Sequence, residues 1–74
     1  MDSKELFLEE FRQLFDETEP ENIQFETTYK EIDEWSSLIV LTLIVHFEDS
    51  YGVKLTPSLI EEKVTVLDLY KLIQ

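Results

Sequence analysis

The sequence predicts an all-α fold, a small four-helix bundle formed by one domain that spans residues 1–74. In four segments, apolar side chains recur at the three- and four-residue spacing of an amphipathic helix. Each segment is preceded by Asp, Ser or Thr, which commonly cap helices. No segment alternates between apolar and polar residues for long enough to predict a β-strand.

The first helix is predicted from about residue 3 to residue 15. Its apolar face recurs at positions i, i+4, i+7 and i+8 and comprises Phe7, Phe11, Leu14 and Phe15. Asp2 is expected to cap this helix, and Glu5 follows at the spacing of a capping box. Acidic residues and Pro20 then end the helical pattern.

A long connection is predicted over residues 16–35, without a helical stripe. Structureless stretches of this length are uncommon inside compact domains. Here four apolar side chains are spaced so that they can anchor the connection: Ile23, Phe25, Tyr29 and Ile32. We therefore expect the connection to lie across the bundle and to bury several of its side chains.

The second helix is the best defined and is predicted from Ser37 to Tyr51. Gly52, the only glycine in the chain, stands where a left-handed residue closes a helix. With Ser36 as the cap, Trp35 and Val40 occupy the two positions of a hydrophobic staple.

Two short helices complete the predicted bundle. Thr56 is expected to cap the third, with Pro57 at its first position and its end near Glu62. Thr65 is expected to cap the fourth, and Asp68 follows at capping-box spacing. The inward stripe of the fourth helix comprises Val66, Leu69, Leu72 and Ile73.

Composition favours a binding or carrier role over catalysis. A chain of 74 residues is small for an enzyme cleft, and without cysteine and with one histidine it lacks thiolate or histidine clusters for a metal. Six basic and seventeen acidic residues give a net charge of −11, which disfavours nucleic acid and anionic membranes and favours partners with basic faces. Without a long apolar run or a signal-peptide pattern, we expect a cytoplasmic monomer that does not insert into membranes.

Ser37 is the candidate functional residue, because its hydroxyl is predicted at the positive N-terminus of the second helix. Unpaired backbone N–H groups there favour a phosphate. The alternative is that the serine only caps the helix. A Ser37–His46 nucleophile and base is excluded, because nine residues along one helix separate them by about 13–14 Å. His46 is instead expected to be a surface or hydrogen-bonded histidine.

Acidic pairs elsewhere are expected to be solvated faces with at most loose divalent-cation binding. They are Glu9 with Glu10, Glu48 with Asp49, and Glu61 with Glu62. They lack the alternating ligands and the glycine of a calcium loop.

The second helix carries two apolar stripes. One comprises Val40, Leu43, Ile44, Phe47 and Tyr51 and is expected to face the core. The other comprises Leu38, Leu41 and Val45, with Ile39 beside it. Either the helix is central and buried all round, or the second stripe is an exposed docking strip.

Taken in order, these features resemble the acyl carrier protein family over nearly the whole chain. Ser37 and Leu38 match the last two positions of the Asp-Ser-Leu signature of that family. Ser36 stands in place of the aspartate, and Trp35 stands where glycine, alanine or another residue is more common. Residues 47–57 and 64–66 resemble the segments that follow the signature.

The resemblance implies a carrier and not an enzyme. It implies a 4′-phosphopantetheine arm on Ser37, derived from coenzyme A and attached by a phosphopantetheinyl transferase, with acyl or aminoacyl groups carried as thioesters for fatty acid, polyketide or related biosynthesis. The implied partners are acyl-transferring or acyl-ligating enzymes with basic docking patches, and the implied contact residues are Ser36, Leu38, Leu41, Val45 and Glu48. The alternative from another class is an unmodified helical interaction module that binds a partner through the second helix.

Overall fold

The computed structural model describes residues 3–74 and consists mainly of helices. The four α-helices are α1 (Ser3–Arg12), α2 (Ser37–Tyr51), α3 (Pro57–Glu62) and α4 (Val66–Tyr70). Short 3-10 turns occur at Pro20–Asn22, Tyr29–Glu31 and Lys71–Ile73. Residues 3–74 contain no strand beyond an isolated bridge between Thr28 and Thr65. The predicted all-α class is confirmed.

α1 ends earlier than predicted, at Arg12 and not near Phe15. The amides of Leu14 and Phe15 bond to carbonyls three residues back, those of Phe11 and Arg12, both at 3.1 Å. This tighter turn ends the α-helix, yet Phe15 remains buried because its ring packs 5.3 Å from that of Phe11. The predicted cap of this helix, Asp2, lies outside the described residues.

α2 has the predicted bounds and both predicted end signals. The Ser36 hydroxyl accepts a hydrogen bond from the Ile39 amide at 3.4 Å, which caps the N-terminus. Gly52 adopts the left-handed conformation with φ 65° at the C-terminus. A side chain there would strain the backbone, so the single glycine has a conformational reason. The staple between Trp35 and Val40 stays a prediction, although both pack against the core.

α3 and α4 are too short to be stable alone, and their caps fix where they begin. The Thr56 hydroxyl accepts from the Leu59 amide at 3.2 Å. Thr65 and Asp68 form the predicted capping box, in which each side chain accepts from the backbone amide of the other residue. The Asp68 carboxylate also accepts from the Val64 amide at 3.1 Å. No helix within residues 3–74 is long and apolar enough to cross a bilayer.

One aromatic core joins the helices. The centroid of the Phe7 ring in α1 lies 5.8 Å from that of Phe47 in α2 and 5.3 Å from that of Tyr70 in α4. All three side chains are buried. Burial of these side chains is the main favourable term available to so small a domain.

The connection between α1 and α2 lies across the bundle, as predicted. Ile23 and Tyr29 are fully buried, and Phe25 and Ile32 pack against the core. Backbone bonds join this connection to the start of α4: the Val66 amide donates to Thr27 at 3.1 Å. The connection is therefore part of the folded body.

Tyr29 fastens the connection to the end of α3. Its hydroxyl lies within hydrogen-bonding distance of two backbone carbonyls, those of Ile60 and of Lys63, the latter at 2.9 Å. Burial, with the nearby charges of Asp68 and Glu61, raises the pKa of Tyr29 to about 12. The hydroxyl therefore keeps its proton well above neutral pH. We call this link between the Tyr29 hydroxyl and the carbonyls at the end of α3 the latch, and it persists over the same pH range.

The capping box gives a testable pH dependence. Hydrogen bonds from the Thr65 and Val64 amides hold the pKa of Asp68 below its usual range. Because the folded pKa is depressed, the stabilisation is present above about pH 4 and is lost as pH falls through the folded value. We expect Asp68→Asn to be less stable at pH 6 and the gap to close as pH falls toward 2. Urea unfolding of both proteins across this range tests it; parallel curves would contradict it.

Candidate functional site

The two serines at the start of α2 have different roles. Ser36 supplies the cap, and its hydroxyl accepts from the Ile39 amide. Ser37 is the first helical residue; it is exposed, and its hydroxyl forms no hydrogen bond with any residue in 3–74. The alternative that Ser37 only caps the helix therefore does not hold, because Ser36 is the cap. The Ser37 oxygen is accessible and uncommitted.

The electrostatic surroundings of Ser37 suit an anion. α2 has fifteen residues, and its first turn contains no acidic side chain. Its aligned peptide dipoles place partial positive charge at the end where Ser37 lies. A phosphodiester on the Ser37 oxygen would be stabilised there by the helix N-terminus.

The segment before Ser37 is held by aromatic stacking and a carboxylate. The Trp35 ring packs 6.4 Å from that of Phe15 and 5.1 Å from that of Tyr29. The adjacent Glu34 carboxylate accepts from the Glu17 amide at 3.0 Å and from the Thr18 hydroxyl at 2.9 Å. Ser37 is therefore presented by an anchored segment.

The outer stripe, formed by Leu38, Leu41 and Val45, is exposed. These side chains are 71%, 61% and 59% exposed, respectively. α2 is thus not buried all round, and the alternative of an exposed apolar strip is the correct one. Glu48 and Ser36 are exposed at the two ends of the same helix. All five residues expected to contact partners are accessible.

Ile39 does not belong with the outer stripe, and its expected place beside that stripe is wrong. It is 8% exposed and precedes Leu43 and Phe47 by four and eight residues. Residues four apart lie one above the other on a helix, so Ile39 shares the face of those two core residues. Val40, Ile44 and Tyr51 flank this face and are half-buried.

His46 lies where α1 and α2 meet. Its Nδ1 lies 3.3 Å from the Ser50 hydroxyl, and its Nε2 lies 3.5 Å from a Glu10 carboxylate oxygen. The Nε2 atom is buried and has no hydrogen-bond partner within residues 3–74. The Tyr51 hydroxyl donates to the same oxygen of Glu10. Burial, followed by this hydrogen bond and the Glu10 charge, raises the pKa of Tyr51. The prediction that His46 does not pair with Ser37 is confirmed.

The acidic residues do not assemble into a metal site in the described chain. No group of three or more Asp, Glu or His side chains within residues 3–74 is placed to hold a metal ion. A cavity of about 630 Å³ beside the connection is lined by several carboxylates. Those lining carboxylates are Glu17, Glu19, Glu31, Asp33 and Glu34.

A second concavity lies against α2 and was not predicted. It is a groove of about 480 Å³ between the turn after α1 and residues 41–50 of α2. Leu14, placed in the core by its periodicity, is half-buried and forms one wall of the groove. No sequence signal gives this position, because it depends on where α1 ends. The contacts of Glu34 likewise have no sequence signal.

Comparison with known proteins adds no relative: no family model matches the chain, and no curated protein matches it.

Proposed function

We propose that this chain is an acyl carrier, with a 4′-phosphopantetheine arm on the Ser37 oxygen that presents thioester-bound acyl or aminoacyl groups to partner enzymes. The observation that carries the proposal is the division of roles between the two serines. Ser36 caps α2, and Ser37 is left exposed, without a hydrogen bond within residues 3–74, at the positive end of the helix. This arrangement supports the same function as the resemblance of residues 37 and 38 to the carrier signature.

The chemistry of attachment is supplied by a separate transferase. The Ser37 oxygen attacks the phosphorus that bears the pantetheine in coenzyme A, the pyrophosphate bond breaks, and an adenosine bisphosphate leaves. The serine proton passes to a base on the transferase, because His46 lies about 13–14 Å along α2 from Ser37. The carrier contributes an accessible oxygen and a helix N-terminus that stabilises the attached phosphodiester.

Recognition by partners combines charge with an apolar strip. A net charge of −11 steers the carrier toward basic patches and raises association rates more than affinity. Contact is then expected on the outer stripe, with Ser36 and Glu48 at its ends. The first three turns of α2 carry no acid, so their contact with a partner is apolar. The basic patches of a partner would face the connection and Glu48.

The test is the intact mass after incubation with coenzyme A, magnesium and a broad-specificity phosphopantetheinyl transferase. The wild-type chain is expected to gain one phosphopantetheine, and Ser37→Ala to gain none. Ser36→Ala is the matched control: it removes the cap at a cost of about 1 kcal/mol but keeps the acceptor oxygen, so it should still be modified. Modification of the Ser37→Ala variant, or none of the wild type, would overturn the proposal.

A linked prediction concerns the first position of the signature. Ser36→Asp keeps a capping oxygen and adds a negative charge. A negative charge at a helix N-terminus stabilises the helix by about 0.3–1 kcal/mol. If the transferase contacts this position, we expect Ser36→Asp to be modified faster than the wild type. Initial rates from intact mass give the comparison, with Ser36→Asn as an uncharged control. Equal modification rates for the wild type, Ser36→Asp and Ser36→Asn would contradict the proposed contact.

One observation favours a second candidate function. Three large apolar side chains exposed on one face of α2 also suit a helical interaction module that is never modified. Such a module binds its partner whether or not Ser37 bears a hydroxyl. The intact-mass experiment therefore separates the two functions.

A further inference from the structure

The groove between the turn after α1 and residues 41–50 of α2 has a mixed lining. Leu14, Leu41 and Val45 give it apolar walls, and its polar lining comprises Thr42, His46, Asp49 and Ser50. Its volume of about 480 Å³ lies within the range of small-ligand sites. The groove thus offers apolar contact together with a few polar groups.

A continuous ridge leads from Ser37 into this groove. Ser37, Leu41, Val45 and Asp49 follow one another at four-residue intervals on α2, so they lie along one side of the helix. At about 1.5 Å per residue, Leu41 and Val45 lie about 6 Å and 12 Å along the axis from Ser37. A flexible chain attached to the Ser37 oxygen would therefore enter the groove at Leu41, the lining residue nearest to Ser37 along the helix.

The other spaces near α2 suit such a chain less well. Leu43 and Phe47, on the opposite face, are fully buried in a filled core. The cavity beside the connection is lined by five carboxylates, Glu31 and Asp33 among them, whereas the groove is lined by one, that of Asp49, and has three large apolar side chains for the carbon atoms of such a chain. Between Ser37 and Val45 the ridge carries no charged side chain, so the chain would meet a carboxylate only at Asp49, at the far end of the groove.

We infer that the groove is the resting site of the pantetheine arm attached to Ser37, an inference that rests on the proposed function. A pantetheine arm alternates methyl and methylene groups with two amides. Leu14, Leu41 and Val45 would contact its carbon atoms. The Thr42 hydroxyl donates to the Leu38 carbonyl at 2.9 Å, which leaves its oxygen free to accept from an amide N–H of the arm.

Covalent attachment makes a shallow groove sufficient. A tethered ligand has an effective concentration in the millimolar range, so weak contacts that would not hold the free molecule can hold the arm. The arm then folds back along α2, and its terminal thiol rests against the groove and away from bulk solvent. Partner contact on the outer stripe would displace it.

The test uses the absence of cysteine from the chain, which makes the thiol of the arm the only thiol in the loaded protein. Loading is first verified by intact mass. The reaction rate of this thiol with an uncharged aromatic disulfide is then compared among loaded wild type, Val45→Asn and Leu6→Asn. Leu6 is an exposed helical leucine that does not line the groove, so it is the matched control.

We expect the wild-type and Leu6→Asn thiols to react on the order of fivefold more slowly than that of Val45→Asn, the factor for about four-fifths of the arms at rest in the groove. The net charge slows all three proteins alike, so the ratio isolates the groove. As a second readout, the methyl resonances of Leu14 should shift when the arm is attached. Leu14 lies on a different segment from Ser37, so its shift is not a local effect of modification.

Equal thiol rates in the three loaded proteins, or unshifted Leu14 methyls, would overturn the inference and leave the proposed function intact. No gain of mass on incubation would overturn the proposed function, and the inference with it. Slow thiols together with shifted methyls of core residues such as Leu43 would place the arm in the interior and also overturn the inference.

Discussion

Leu43→Ser is expected to unfold the domain, whereas Leu41→Ser is expected to leave its stability nearly unchanged. Leu43 is fully buried beneath α2, while Leu41 is 61% exposed on the outer stripe. Truncation of a buried leucine costs about 2–5 kcal/mol, and the buried hydroxyl adds to that cost. A single small core rarely supplies more than about 3–5 kcal/mol of net stability. Exposed substitutions usually stay within about 0.5 kcal/mol.

Thermal and urea unfolding followed by circular dichroism measures both effects, and the same pair of variants tests the docking role of the outer stripe. If partners dock there, Leu41→Ser should fold normally yet be modified, or exchange acyl groups with a cognate enzyme, more slowly than the wild type. A Leu41 variant less stable than the Leu43 variant would contradict the assignment of the two faces. A folded Leu41→Ser protein with unchanged transfer rates would contradict docking.

Tyr29→Phe is expected to give the second-largest loss of stability, although it removes only one oxygen atom. The Tyr29 hydroxyl lies within hydrogen-bonding distance of the Ile60 and Lys63 carbonyls, and the Tyr29 ring is fully buried. Leaving a buried acceptor without a donor costs about 1–3 kcal/mol. Because this latch joins the connection to α3, its loss should also loosen the connection, measured as faster amide hydrogen exchange at Tyr29, whose N–H bonds to the Val64 carbonyl.

Tyr70→Phe is the matched control for this prediction. Tyr70 is also a buried tyrosine, but its hydroxyl forms no hydrogen bond with any residue in 3–74. We therefore expect Tyr70→Phe to unfold within about 0.5 kcal/mol of the wild type. Equal losses in both variants would show that the Tyr29 hydroxyl contributes nothing specific.

Features determined by neighbouring residues were predictable from the sequence. The bounds of α2 and the caps at Ser36, Thr56 and Thr65 follow from side chains that bond to amides three residues away. The exposure of Leu38, Leu41 and Val45 was one of two alternatives, because periodicity shows that two stripes exist but not which one the core covers.

Features that depend on distant residues were not predictable. α1 ends three residues early, where the Arg12 side chain donates to the Ile23 carbonyl at 2.9 Å across the connection. The groove requires Leu14 to lie beside α2, and the latch requires Tyr29 to reach the end of α3. The position of Ser37 in the candidate site was predictable because it is local. Its chemistry rests on the resemblance to a carrier family.

The stacking of Trp35 has an optical consequence. Trp35 is the only tryptophan in the chain, it lies two residues before Ser37, and its indole packs against the rings of Phe15 and Tyr29. Its emission thus comes from one place, where the end of α1, the connection and the start of α2 meet. Release of that segment would expose the indole to water and shift its fluorescence to the red. The protein therefore carries an intrinsic, label-free probe next to the proposed attachment point.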